Sequence, residues 1–157
     1  MKPAIHYLDI ASDSENPYPE PLKSKLGVAE WRELSDHFNL THFGVNLEIL
    51  QPKALSSLRH WHTKSDEFVF ILDGELTLDT DEGEQILQVG MCVGFKAGVE
   101  NGHHLMNHTN QTALFIVVGS RRENDQVLYP DDDFQIKENA EGVRKAARKN
   151  GEFYEYP

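Results

Sequence analysis

His60 and His62 flank Trp61, four residues separate His62 from Glu67, and Gly74 follows seven positions after that glutamate. Two imidazoles and a carboxylate thus fall within eight residues. A second histidine-bearing segment, from Gly98 through His103 and His104 to Asn107, lies about forty residues downstream. Imidazole nitrogens with one carboxylate oxygen suit zinc, iron, nickel, manganese or copper, whereas calcium and magnesium favour all-oxygen shells. The chemistry on offer is therefore that of a transition-metal site.

Such a site needs elements that bring these side chains together. On a strand, residues two apart share a face, so His60 and His62 point one way and Trp61 the other. Glu67 shares its parity with Val69 and Ile71. In the second segment His103, Leu105 and Asn107 share one face, while His104, Met106 and His108 share the opposite one. A regular strand lets only one of His103 and His104 join the pair. Spacing alone leaves two readings open: a shared metal site, or ordinary half-buried histidines in a chain that has eight. Glu67 and the His103–His104 pair favour the first. His6, His37, His42 and His108 lack such partners and read as ordinary polar positions. Cys92 lies in an apolar strand and reads as a small core residue.

The surrounding pattern is one of strands. Residues 12–21 carry three alternate prolines, which suit an extended arm rather than a helix or central strand. Residues 28–37 could form a short helical turn. From Phe43 to Ile49 apolar and polar residues alternate, the period of a half-buried strand. Leu55, Leu58 and the histidine pair belong to the next strand. Phe68 to Leu72 is continuously apolar, which predicts a strand covered on both faces. Asp73-Gly74 reads as a tight hairpin turn. Further strands are expected at 76–78, 86–89, 91–95, 105–107 and 113–118. Short strands at regular spacing with glycine-rich turns indicate an all-β sandwich or barrel, not βαβ units. The organisation expected is an N-terminal arm (1–40), a barrel core (41–120) and a C-terminal extension (121–157) on the same single domain. Residues 138–149 favour helix by composition, but their thin apolar content makes that helix marginal. The run Asp131 to Asp133 lacks the spacing of a calcium loop and reads as a solvated turn.

Composition excludes several functions. The 157 residues fit one domain with a real core. A formal charge of −11 disfavours binding to nucleic acid or anionic membranes. The single cysteine allows no intrachain disulfide. Neither a signal peptide at Met1 to Ile10 nor a membrane-spanning run is evident, so a cytoplasmic protein is expected. No Ser-His-Asp arrangement, phosphate loop or dinucleotide fingerprint is present.

The stretch from His60 to Gly74 resembles the first motif of the cupin superfamily: H-x-H, four residues, E, six residues, G. Ala54 stands where that motif usually opens with glycine. The second motif is degenerate but in the right order. Gly90 is followed after five residues by Lys96-Ala97-Gly98, with lysine in place of proline. Four residues rather than two separate Gly98 from His103, and Asn107 restores the ending. The resemblance covers roughly residues 41–120. It implies a double-stranded β-helix, the jelly-roll barrel of the cupins, with a metal held by His60, His62, Glu67 and His103. His104 is the alternative to His103, because the loop is longer. It also implies one divalent ion (Zn, Fe, Ni or Mn), a small organic ligand, and a homodimer formed through the N-terminal strand.

The expected function is a metal-dependent enzyme of dioxygenase, isomerase or decarboxylase type acting on a small organic molecule. Val69, Ile71, Leu105 and Phe115 are the expected pocket lining. The alternative is a non-catalytic binding or sensing module on the same barrel. A DNA-binding regulator is not expected.

Overall fold

Alternating apolar and polar residues from Phe43 onward build the strand β2 (Phe43–Leu50). It is preceded by β1 (Ala29–Glu33) and a single helical turn, α1 (Leu34–His37). Half of the expected 28–37 turn is therefore strand, because residues 29–33 pair antiparallel with β2. This computed structural model describes residues 3–155; the outermost residues of the expected arm and extension lie outside that range. Next come β3 (Trp61–His62), β4 (Glu67–Asp73), β5 (Glu75–Thr80), β6 (Gly83–Gln88), β7 (Cys92–Phe95), β8 (His104–Met106) and β9 (Ala113–Ser120). The extension adds β10 (Val127–Tyr129), β11 (Phe134–Glu138) and β12 (Arg144–Ala147).

These strands form three antiparallel sheets, ordered β1-β2-β9-β4-β7, β12-β11-β10-β3 and β6-β5-β8, in the all-β barrel that the motif resemblance implies. The main core lies inside the barrel, where Leu50, Val69, Ile71, Leu76, Leu105 and Phe115 pack together. A second cluster joins the arm to the extension through Leu22, Leu26, Tyr129, Phe134 and Ala146. The extended arm also pairs its Asp13 backbone with Trp31 of β1.

Four expectations change in detail. The 138–149 segment forms no helix: residues 144–147 are a strand paired with β11, and Ala146 and Ala147 are buried by that pairing. Tertiary pairing overrides a weak local preference. Asp73-Gly74 closes no hairpin but turns the chain from one sheet into another. Gly74 has φ +76°, and a Cβ there would lie 3.0 Å from Ala113 Cα and from the Thr112 carbonyl oxygen. β4 is covered on one face only. Val69 and Ile71 are buried, while Phe68 and Leu72 are 41% and 40% exposed on the outside of the five-stranded sheet. Cys92 is exposed rather than in the core, because it sits opposite Phe70 on that outer face.

The facing of β2 follows from its register. Glu48 is paired with Phe115, a core residue of β9, whereas Leu47 is paired with Ile116. Residues directly opposite in an antiparallel pair share a face. Asn46 and Glu48 therefore face the barrel interior, and Val45, Leu47 and Ile49 face outward. Among the described residues, no helix is long and apolar enough to cross a membrane.

Candidate metal centre

Three short elements bring the candidate ligands together. His60 and His103 exchange backbone hydrogen bonds of 3.1 and 2.9 Å, which makes them a directly opposed antiparallel pair. Their rings therefore share a face, with centroids 4.8 Å apart. His62 follows on the same side of the strand, its ring centroid 5.3 Å from that of His60. Glu67 opens β4 opposite Phe95, with its side chain turned towards all three histidines. Glu67 Oε2 lies 3.7 Å from His60 Nε2, 3.8 Å from His62 Nε2 and 2.9 Å from His103 Nε2. His60, His62 and Glu67 each offer one ligand atom, all within 4.8 Å of one another.

His104 points elsewhere. Its Nδ1 donates to the Ser57 carbonyl at 3.0 Å, and its Nε2 lies 3.5 Å from Asp79 Oδ2. The alternation of a strand sends neighbours to opposite sides, and the His60–His103 pairing fixes which neighbour faces Glu67.

The outer nitrogens orient the inner ones. His60 Nδ1 donates to the Leu58 carbonyl at 2.9 Å, and His62 Nδ1 donates to Asp125 Oδ2 at 2.7 Å. Each ring therefore presents an unprotonated Nε2 to the centre, the tautomer a metal ion needs. Asp125 is itself buried and accepts from the Lys64 and Ser65 amides at 2.8 and 3.2 Å. The third ring is held by Phe95, stacked on His103 at 3.5 Å with planes 1° apart. Ligand atoms around a transition ion with bonds near 2.1 Å lie roughly 3–3.5 Å apart. The observed nitrogen–oxygen separations need only small adjustment to meet that, so the donor set fits such an ion.

The electrostatics match. Burial drives the Glu67 carboxyl up, but the hydrogen bond from His103 Nε2 and the neighbouring His60 ring outweigh it and hold the group well below the usual carboxylate range. Burial opposes charge on His60, yet the Glu67 carboxylate wins and raises it. Burial lowers His103 despite the same partner. A carboxylate that stabilises positive charge among imidazoles is the arrangement that would favour a cation in place of those protons.

Two cavities share Glu67, Phe95 and His103 in their walls. One of about 220 Å³ is also lined by Trp61, His62, Lys96 and Asn101. The other, of about 100 Å³, lies deeper among Glu48, Ser57, His60 and Phe115. Val69, Leu105 and Phe115 of the expected lining border the inner cavity, whereas Ile71 is in the core beyond it. A wider groove of about 890 Å³ lies against the extension, lined by Tyr18, Tyr129, Phe134 and Tyr154, and the Tyr129 ring centroid is 5.5 Å from that of His60.

Sequence reasoning missed Asp125, Phe95 and Glu48. Asp125 stands 63 positions from His62 and outside both motifs. Phe95 is visible only as an apolar residue of β7. Glu48 looks like the polar side of an alternating strand. Burial, then the charge of Glu67, pushes the Glu48 carboxyl up to about 8, with His60 opposing.

Comparison with known proteins agrees with this geometry. The family model for the Cupin domain matches residues 46–119. A crystal structure from Silicibacter pomeroyi, described as a sugar phosphate isomerase from a cupin superfamily, is 37% identical. That match covers 98% of this chain and 97% of the other, with TM-score 0.90. A candidate sugar phosphate isomerase from Acidithiobacillus ferrooxidans is 25% identical over 83% of this chain and 82% of its own, with TM-score 0.71. The polyketide cyclase RemF from Streptomyces resistomycificus shares the fold at 20% identity, covering 76% and 80%, with TM-score 0.61. Comparison with curated protein sequences found no match. The barrel, the histidine–glutamate cluster and a full-length relative together establish that this chain belongs to the cupin superfamily.

Proposed function

We propose that the protein is a metal-dependent isomerase of small sugar phosphates. The observation that carries the reading is the meeting of His60, His62 and Glu67 within 4.8 Å beside a cavity. His103 is the fourth ligand in this proposal, supported by its 2.9 Å approach to Glu67. A bound divalent ion (Zn, Fe, Ni or Mn) would act as a Lewis acid towards a substrate oxygen. Asp125 and the Leu58 carbonyl keep His62 and His60 in the ligating tautomer. Phe95 fixes the plane of His103 and excludes water from one side of it.

The 220 Å³ cavity would hold the phosphate end of the substrate. Lys96 lines it and makes no side-chain hydrogen bond or ion pair among the described residues, in a chain of formal charge −11. The Asn101 amide lines it too, its oxygen engaged by the Asp81 backbone amide at 2.9 Å and its nitrogen left to donate. A cation with a neutral donor beside it suits a phosphate oxygen. The Silicibacter relative, named for this substrate class, supports the same reading across nearly the whole chain.

The test is direct. Protein purified without added metal is assayed for metal per chain, then supplied with aldose and ketose phosphates of three to six carbons while interconversion is followed by proton NMR. The reading requires bound transition metal, loss of that metal in the H60A/H62A variant, and isomerisation that a chelator stops. Absence of a transition metal overturns it, and so does a metal-loaded protein inert towards every substrate in the panel.

The protein works as a homodimer in this reading. Val45, Ile116, Val118, Phe68 and Phe70 form a contiguous apolar face on the outside of the five-stranded sheet, and Phe68 is 41% exposed there in one chain. A second copy would cover this face. Light scattering on the wild type and on F68E should give a dimer and a monomer respectively. The reducing cytoplasm suits a chain whose one cysteine is free and exposed.

A further inference from the structure

We propose that Glu48 is the catalytic carboxylate of the inner cavity, carrying a proton between adjacent carbons of the substrate. This rests on the isomerase reading above.

Glu48 projects from the inward face of β2 beside Phe115. It lines the 100 Å³ cavity together with His60, Glu67 and His103. It also lines a neighbouring cavity of about 340 Å³ formed under the N-terminal arm by Tyr18, Trp31, Asn46 and Ser56. It makes no hydrogen bond or ion pair among the described residues. The other carboxylates near the histidines are committed: Glu67 accepts from His103, Asp125 accepts from His62 and two backbone amides, and Asp79 lies 3.5 Å from His104. A half-buried carboxylate without a partner is costly in a barrel interior unless something else uses it. It shares the wall of the inner cavity with His60, Glu67 and His103, so a substrate carbonyl bound at those ligands would enter the same space as the Glu48 carboxylate.

The step balances without a co-reactant. The Glu48 carboxylate takes the proton from the carbon beside the substrate carbonyl. The C–H electron pair becomes the C=C bond of an enediol, and the carbonyl pair moves onto its oxygen, which receives, directly or through water, the proton that the neighbouring hydroxyl releases in the second half of the step. Glu48 then delivers its proton to the former carbonyl carbon. The neighbouring hydroxyl gives up its proton and becomes the new carbonyl, so substrate and product are isomers. Lys96 and Asn101 would hold the phosphate in the outer cavity during this transfer, leaving the reacting carbons in the inner one.

The experiment uses the metal-loaded protein, its E48Q and E48D variants, and the same panel of three- to six-carbon aldose and ketose phosphates in D2O. Wild type should place solvent deuterium on carbon in the product. E48Q should lose turnover and deuterium incorporation by roughly 10²–10⁴-fold, the range for a missing acid–base group. Its metal content and its KM should stay within about threefold of wild type, since an acid–base group contributes to the chemical step rather than to ground-state binding. E48D, whose carboxylate is drawn back by one methylene, should fall between the two. Melting curves verify that both variants fold, and E48D keeps the comparison informative should the amide disturb the cavity. The proposal is overturned if E48Q keeps more than a tenth of the exchange rate, if it loses its metal, or if the wild-type product carries no deuterium on carbon. The last result would mean a hydrogen shift within the substrate. A metal-loaded wild type that isomerises nothing sinks the isomerase reading itself, a different outcome from a working enzyme indifferent to Glu48.

Discussion

Glu48 makes a thermodynamic prediction that needs no substrate. In the metal-free protein its carboxyl is held at about 8, far above the 4.5 of a free glutamate, first by burial and then by the Glu67 charge. At about 1.4 kcal/mol for each tenfold change in proton affinity, full ionisation in the folded state would cost about 5 kcal/mol. Solvent reaching the side chain, which is only partly buried, should screen this to roughly 2–3 kcal/mol. The sign follows from which state ionises first. Below pH 4.5 the group is neutral in both states and has no effect on stability. Between 4.5 and about 8 the unfolded chain gives up the proton and the folded chain keeps it, so stability falls as pH rises. Above about 8 the loss is complete.

E48Q is neutral at every pH and nearly the same shape, so it removes this penalty. Urea denaturation of chelator-treated wild type and E48Q at pH 4.5, 7 and 9 reads the difference. The two proteins should be within about 0.5 kcal/mol at pH 4.5, and E48Q should be more stable by roughly 2–3 kcal/mol at pH 9. A stability difference that is the same at all three values would refute the reasoning. So would an E48Q protein less stable than wild type at pH 9, because Glu48 would then have to be a stabilised anion with a partner. Adding the metal should shrink the gap, since a nearby cation favours the ionised glutamate.

Other changes probe the supports of the site. D125N weakens the His62 Nδ1 hydrogen bond and should loosen metal binding by about 10–100-fold, read by competition with a chelator of known affinity. G74A places a Cβ 3.0 Å from backbone atoms of residues 112 and 113 at a positive φ, and should lower stability by about 2 kcal/mol or more in thermal unfolding. F115A empties a fully buried position between the core and the inner cavity and should cost about 3–5 kcal/mol. An F115A protein as stable as wild type would mean that this wall is not packed as described.

The candidate site was legible where local periodicity governs it. His60 and His62 share a face because strand parity is a local rule, and Glu67 sits close enough in sequence for the same chain segment to deliver it. The choice between His103 and His104 was not legible. The longer loop after Gly98 breaks the spacing, and the choice is made by backbone pairing with His60, a contact across 43 positions. Glu48 was misplaced for a subtler reason. Alternation reveals two faces but not which one looks inward, and in β2 the apolar set faces out of the barrel. Asp125 lay beyond reach because buried hydrogen-bond partners of ligands carry no spacing signature. The β11–β12 hairpin was obscured by alanines whose helix preference is overridden once Phe134 and Ile136 offer a strand to pair with.

The strand carrying His62 pairs with β10, from the far end of the chain, rather than with its neighbours in the central motif. Asp125, just before β10, completes the same attachment. A fragment trimmed to the family core would retain every candidate ligand, yet the ribbon presenting one of them would become a loose edge with an unanchored ring. Any attempt to transplant this centre into a smaller scaffold must therefore carry the chain through Tyr129. The unit that evolution can shuffle intact is longer than the stretch by which the family is recognised.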